Sequence, residues 1–321
     1  MLRMIYPYLV QLHRWLALVS AIPLFVVIVT GLVLSFEPVA QQAQPVRPIT
    51  LADVEAYLQR FDPNGQARSL AIRTYDNTMT IGGAGGSVVI DLQTGSEATT
   101  TGSGWWDIFL TARRMHETLL LDLGGLVTAS TVAMLIIASL GIVLGWPRLR
   151  NSLRAWHQCV AWVTLPLIIL SPLTALGMVL GVTFMTGSPG GAAGGGGRVS
   201  MRDAVKLIAA DHELANLTSI RQRGGRLMAR IYVGGELRGF AVTPTSLQSL
   251  QRNWPRLLHE GNWGGVIGPA ANLLTSVALL FLIVTGLTLW IRGTRRRAAR
   301  AGARATLSGR RGDVRPSAPV A

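Results

Sequence analysis

The chain has 321 residues, a formal net charge of +14, 49% hydrophobic and 14% charged residues, and a mean hydropathy of +0.38. An average soluble domain carries about 25% charged residues, so this composition argues against an ordinary soluble enzyme and against a nucleic-acid partner, whose positive charge would sit on a polar surface. The single cysteine, Cys159, excludes an intramolecular disulfide and a cysteine-ligated zinc or iron–sulfur site within one chain.

The first element is a run without Asp, Glu, Lys or Arg over residues 15–36. Its 22 residues can cross a bilayer, which takes about 20, and exceed the ~7–15-residue core of a cleaved signal peptide. Ala40-Gln41-Gln42-Ala43 is a poor cleavage site, so residues 1–37 read as an N-terminus and an uncleaved first span. Residues 38–115 form an outer α+β module. It has a capped amphipathic helix from Thr50 to Phe61, strands at 70–72, 79–81 and 88–92, and a Gln93-Thr94-Gly95 turn.

A second span follows in 116–147, uncharged from 123 to 147, and a loop and third span in 148–184. The third uncharged run, 155–197, ends in a glycine-rich linker that lacks the Lys-Ser/Thr ending of a phosphate-binding loop. Residues 185–258 form a second outer module, with a helix at 200–210 and strands at 226–233 and 237–242 joined at Gly234-Gly235. The fourth span lies in 259–292, uncharged from 261 to 291, and a basic tail without fixed structure is expected over 293–321. The expected fold class is therefore an α-helical membrane protein with four transmembrane helices and two outer α+β modules.

Charge sets the orientation. Thirteen of the fourteen net positive charges lie in three places: Arg3 and Arg14, the loop with Arg148, Arg150 and Arg154, and the tail with nine Arg and Asp313. The positive-inside rule puts these in the cytoplasm, with both termini. Trp15, Trp146, Trp156 and Trp290 then mark the inner interface, and Trp105, Trp106, Trp254 and Trp263 the outer one.

The chain also repeats itself. Leu12-His13-Arg14-Trp15 and Ala155-Trp156-His157-Gln158 open the first and third spans, with the two His 144 residues apart. Thr30-Gly31-Leu32 and Thr174-Ala175-Leu176 keep that offset. Arg114-Met115-His116-Glu117 and Leu257-Leu258-His259-Glu260 precede the second and fourth spans, and Leu140-Gly141-Ile142 corresponds to Thr285-Gly286-Leu287. The unit is span, outer module, span, twice in the same direction, as for repeats about an axis along the membrane normal.

Four of the five His occupy these repeat positions. His13 and His157 share the inner depth, and His116 and His259 the outer depth. Facing His across a four-helix bundle are a standard way to ligate the iron of a b-type haem. Ala17, Ser20 and Ala21 after His13, and Ala161, Thr164 and Leu165 after His157, leave room for a flat macrocycle. Arg113, Arg154 and Arg256 stand three residues before a His, and Arg14 directly after one, within reach of a haem propionate.

A lone interfacial His is ordinarily just an anchor, and small residues near it ordinarily pack helices; the fourfold repetition is what moves the reading to haem. Arg14 and Arg154 are also accounted for as inside-positive anchors, whereas Arg113 and Arg256 lie outside. His212 reads as a solvated helix residue, Cys159 as a packing residue, and Asp122 as a near-membrane acid.

The His-bearing motifs resemble the PepSY-associated transmembrane family over roughly residues 8–295. The outer modules, with Ile90-Asp91-Leu92-Gln93-Thr94-Gly95, are similar to PepSY domains, although Val242-Thr243-Pro244 departs from the Asp-x-x-Gly pattern. The resemblance implies a multi-pass protein of the bacterial inner membrane linked to iron uptake. Its better-understood relatives are ferrisiderophore reductases with two b haems, which carries over here to an inner pair, His13 and His157, and an outer pair, His116 and His259.

The leading expectation is transmembrane electron transfer through two haem b groups to a periplasmic ferric chelate, making the protein a possible ferric-chelate reductase. Some relatives carry a flavin reductase domain after the last span; the basic tail here implies a separate cytoplasmic donor or quinol. Membrane lipid surrounds the spans, and the sequence leaves a homo-oligomer open. The alternatives are a non-enzymatic PepSY membrane protein that binds a periplasmic partner or restrains a peptidase, and a metal or siderophore permease.

Overall fold

The computed structural model describes residues 2–98, 106–147, 150–186 and 199–312. Trp105, Arg148, the glycine-rich linker and the chain from 313 lie outside the described residues.

Helices α1 (Leu2–Val19) and α2 (Ala21–Leu34) meet at Ser20, and a short α3 (Glu37–Gln41) follows. The first outer segment holds α4 (Leu51–Phe61) and strands β1 (Ser69–Arg73), β2 (Thr78–Gly83) and β3 (Gly86–Asp91). Next come α5 (Trp106–Thr118), α6 (Gly124–Val143), α7 (Leu153–Val163) and α8 (Leu165–Val179). The second outer segment holds β4 (Met185–Thr186), α9 (Met201–Asp211), β5 (Leu217–Arg223), β6 (Arg226–Val233), β7 (Glu236–Val242), β8 (Leu247–Ser249) and β9 (Arg252–Asn253). Helices α10 (Trp254–Glu260) and α11 (Ile267–Gly312) complete the chain.

Among the described residues, three stretches are long and apolar enough to cross a membrane: Ala21–Gln41, Gly124–Val143 and Ile267–Ala303. The number becomes four if α7 and α8, bent by 62°, form one span. The first and third apolar runs are thus broken helices rather than single rods. Proline explains the breaks, because Pro23 and Pro166 have no N–H to donate and crowd the carbonyl four residues back. Ser20 and Thr164, at the breaks, are buried and donate their hydroxyls to the Leu16 and Val160 carbonyls.

The bundle is apolar outside and studded with small polar groups inside. Leu274, Val277, Phe281, Val284 and Leu287 of α11 are exposed, while Thr275, Ser276 and Thr285 are buried. Buried hydroxyls donate to carbonyls three or four residues back, which allows close helix approach without an unsatisfied donor. Leu24, Ile28, Ile168 and Leu279 form an apolar layer at the centre. Helix α11 runs through the Arg-rich segment to Gly312, where the sequence suggests no fixed structure; Ala and Arg favour helix and carry it on.

The packing in the two halves corresponds. Helix α1 packs on α6 as α7 does on α11, α2 on α5 as α8 on α10, and α2 on α11 as α8 on α6.

The outer segments join in one antiparallel sheet, ordered β3-β2-β1-β5-β6-β7-β8. The seam pairs Leu70 with Ile220 and Ala71 with Ser219. One face carries a single core under α4 and α9, including Val54, Leu58, Leu70, Ile72, Val205, Ile208, Ile220 and Ile231. Strand β5, absent from the sequence reading, has its alternation interrupted by a bulge between Leu217 and Ser219. Gly234 and Gly235, both with positive φ, make the tight β6–β7 turn.

Helix α4 begins with a capping box: the Thr50 side chain accepts from the Asp53 N–H, and the Asp53 carboxylate from the Thr50 N–H. Thr50→Ala is expected to cost about 1 kcal/mol, read as roughly fivefold faster amide exchange over residues 51–61. The Thr50 hydroxyl, with Arg47, also holds the Asp53 carboxyl below its ordinary value of 3.8. This contribution is therefore present above pH 3.8 and lost as pH falls through the lowered value. In Thr50→Ala the acid limb of the stability profile should flatten.

Candidate functional site

The second face of the sheet looks down on the bundle. Between them lies a cavity of about 910 Å³, and His116 and His259 both line it. His116 sits in the last turn of α5. His259 sits in the last turn of α10, which is capped by the Asn253 side chain at the Arg256 N–H and ends at Gly261 with φ 71°. Asn272 donates to the His259 carbonyl at 2.8 Å and fixes that end to α11.

The two outer rings face each other with centroids 6.0 Å apart, tilted by 48°. His116 Nδ1 lies 3.0 Å from the Val27 carbonyl and 3.2 Å from Thr30 Oγ1. His259 Nδ1 lies 3.2 Å from the Ser171 carbonyl and 3.4 Å from Thr174 Oγ1. Thr30 and Thr174 each donate their own proton to a carbonyl one turn back, so they accept from the rings. Both rings therefore carry the proton on Nδ1, leaving Nε2 as a lone-pair donor.

The inner pair follows the same rule. His13 Nδ1 donates to the Ile137 carbonyl at 3.1 Å. His157 Nδ1 donates to Thr285 Oγ1 at 2.8 Å, and Thr285 in turn donates to the Phe281 carbonyl. Thr285, beside His157, and Ser276, beside Gly31 at the outer pair, are nine residues apart on α11. At about 1.5 Å per residue the two levels are separated by about 14 Å along that helix, with the central apolar layer near them.

Glycines give the rings space. A Cβ on Gly31 would lie 3.3 Å from His116 Cε1, one on Gly286 3.5 Å from His157 Cε1, and one on Gly141 4.0 Å from His13 Cε1. Thr30-Gly31 at His116 and Thr285-Gly286 at His157 thus have a local task, with Thr bonding the ring nitrogen and Gly clearing its edge. The spacing alone signals the pairs; that they face histidines becomes visible only in three dimensions.

The outer imidazole pair has the donor set and the spacing of a bis-histidine iron site. An iron about 2 Å from one nitrogen of each ring would hold the ring centres about 6 Å apart, close to the outer spacing. Nδ1–H bonding of each ligand is the usual arrangement around a metal-bound imidazole. The cavity is also amphiphilic. Its floor is apolar, with Val27, Ile28, Val127, Met134 and Leu279, and its upper walls hold arginines. A haem has the same division between macrocycle and propionates. Among the described residues, no three His, Cys, Asp or Glu side chains cluster as a metal-binding group, so the imidazoles stand in pairs.

The arginines divide. Arg113 and Arg256 both line the cavity. Arg113 pairs with Glu37 at 2.5 Å, and Arg256 lies 3.6 Å from Glu260. Glu260 also takes Arg230 at 3.1 Å and the Asn262 amide at 2.9 Å, and Tyr232 donates to Asn262. Burial pushes the Glu260 carboxyl up, but Arg230, Arg256 and Arg113 outweigh it and hold it below the ordinary carboxylate range. This network ties strand β6 to the helix that carries His259. Arg14 is half-buried and Arg154 exposed at the other end, and neither makes an ion pair among the described residues. His212 is the half-exposed C-cap residue of α9, its backbone N–H donating to the Ile208 carbonyl, and its ring packs on Phe240 with centroids 5.5 Å apart.

The sequence reading did not single out Glu37, Glu260, Arg230 or Asn262, because the pairs Glu37–Arg113, Arg230–Glu260 and Tyr232–Asn262 join elements far apart in the chain. A family model described as PepSY-associated TM region matches residues 10–293. A search of curated proteins finds no match.

Proposed function

This chain belongs to the PepSY-associated transmembrane family and is a multi-pass membrane protein, and from that premise we propose that it is a bis-histidine electron conduit. Four spans, counting α7–α8 as one, form a duplicated unit. Support comes from the corresponding packing of the halves and from the 144-residue spacing of His13 and His157. The arginine distribution supports an orientation with both termini in the cytoplasm; in a bacterial inner membrane the sheet then lies on the periplasmic side.

One observation carries the reading: all four repeat-related imidazoles spend Nδ1 on a backbone carbonyl or threonine, and the outer pair faces at 6.0 Å. Two b haems, when bound, supply one-electron carriers on the two sides of the hydrocarbon core. The protein orients the rings through Thr30, Thr174, Thr285 and the helix carbonyls. It clears their edges with Gly31, Gly141 and Gly286. It fixes the outer pair to the sheet through Glu260 and Arg230, and Arg113 and Arg256 lie beside the outer pair to receive propionates. The net change is one electron from a separate cytoplasmic donor or quinol to one periplasmic Fe(III), giving Fe(II), as in a ferric-chelate reductase.

The optical spectrum of the purified chain tests this. A Soret band and a reduced α-band after dithionite are expected, both lost in the variant with all four repeat-related His changed to Ala. A colourless wild-type protein from haem-sufficient cells, or a quadruple variant with unchanged haem, overturns the proposal.

A further inference from the structure

Resting on the electron-conduit reading, we propose that the sheet roof of the outer cavity selects its electron acceptor as a polyanion: a ferric chelate whose iron-binding oxygens are catecholate or carboxylate, in preference to a neutral hydroxamate complex. The strand register supplies the site. Leu70, Ile72, Ile220, Ala229 and Ile231 point into the core under α4 and α9. Alternation therefore turns Arg73, Arg221, Arg223 and Arg230 to the other face, where all four line the cavity.

The four differ in how far they are neutralised. Arg230 is committed to Glu260, and Arg73 lies 3.7 Å from Asp76. Arg221 and Arg223 are exposed and make no ion pair among the described residues. They stand two residues apart on one strand face, about 7 Å along β5, where like charges repel. An anion between them removes that repulsion. The guanidinium fork suits paired oxygens, which a neutral ligand lacks as charge. His116 and His259 line the same cavity, so an anion under the roof sits on the outer side of that pair.

Propionate carboxylates share this chemistry, and the experiment separates the two sources. Full-length protein in detergent is titrated with redox-inert gallium(III) chelates: a trianionic tris-catecholate and a neutral tris-hydroxamate. The trianion is expected to bind at least about tenfold tighter, with the advantage shrinking as salt rises. Arg221→Gln/Arg223→Gln should lose most of that advantage while keeping wild-type haem content; Arg221→Gln alone, a milder change, should lose part of it. Equal affinity for the two chelates, or a double variant that still prefers the trianion, overturns the proposal. So does a double variant that loses haem, since the arginines then serve propionates. Binding of gallium chelates needs no electron. A protein without a Soret band that still prefers the trianion would sink the conduit and leave the anion site standing, whereas haem without anion preference would do the reverse.

Discussion

His116→Ala and His259→Ala should each remove the outer haem and leave the inner one, and His13→Ala and His157→Ala the converse. Haem per chain, measured as the pyridine haemochrome, should fall by about half in each single variant. The grouping follows from the geometry. His116 and His259 are held on α5 and α10 against α2 and α8, whereas His13 and His157 are held against α6 and α11. Loss of even an outer-shell partner typically costs 10- to 100-fold in metal affinity, so loss of a ligand should empty the site. Pairs sort by redox titration, since two sites in different surroundings give two midpoints and each variant should delete one. If His116→Ala removed the same component as His13→Ala, the assignment of inner and outer pairs would be wrong.

Much of this site was legible along the chain because it depends on local spacing. His13, His116, His157 and His259 stand out by offset, and the helix and hairpin boundaries of the outer segments follow from Thr50, Ser200 and Gly234-Gly235. What could not be read depends on contacts between distant segments. The β1–β5 seam joins residues some 150 positions apart, and a polar strand such as Leu217–Arg223 shows its place only beside its neighbours. Arg113 and Arg256 were singled out for standing outside the membrane; that Glu37 engages Arg113 needed the fold, whereas Arg256 and Glu260 stand at an i,i+4 spacing that the chain itself shows. The breaks at Ser20 and Thr164 were within reach, since Pro23 and Pro166 sit inside both apolar runs.

Thr285→Val should weaken the inner site by about 10- to 100-fold, while Thr30→Val and Thr174→Val should change the outer site by much less. The three threonines occupy comparable places but do unequal work. His157 Nδ1 has Thr285 Oγ1 at 2.8 Å as its partner among the described residues. Valine keeps the shape and leaves a buried N–H unpaired, at a cost of about 1–3 kcal/mol. The freed ring can also move its proton to Nε2 and stop ligating. His116 and His259 instead share Nδ1–H between a hydroxyl and a main-chain carbonyl, and the carbonyl is the nearer of the two in each case. Deleting either hydroxyl leaves that tautomer fixed. His13 is the natural control, because Leu140 stands where Thr285 does in the other half and, among the described residues, the Ile137 carbonyl alone holds the ring. The rate of haem loss to an excess of scavenging apoprotein, site by site, is the measurement. Equal acceleration by Thr30→Val and Thr285→Val would mean that the hydroxyls act through packing, and that the ring tautomers are set by the helix carbonyls throughout.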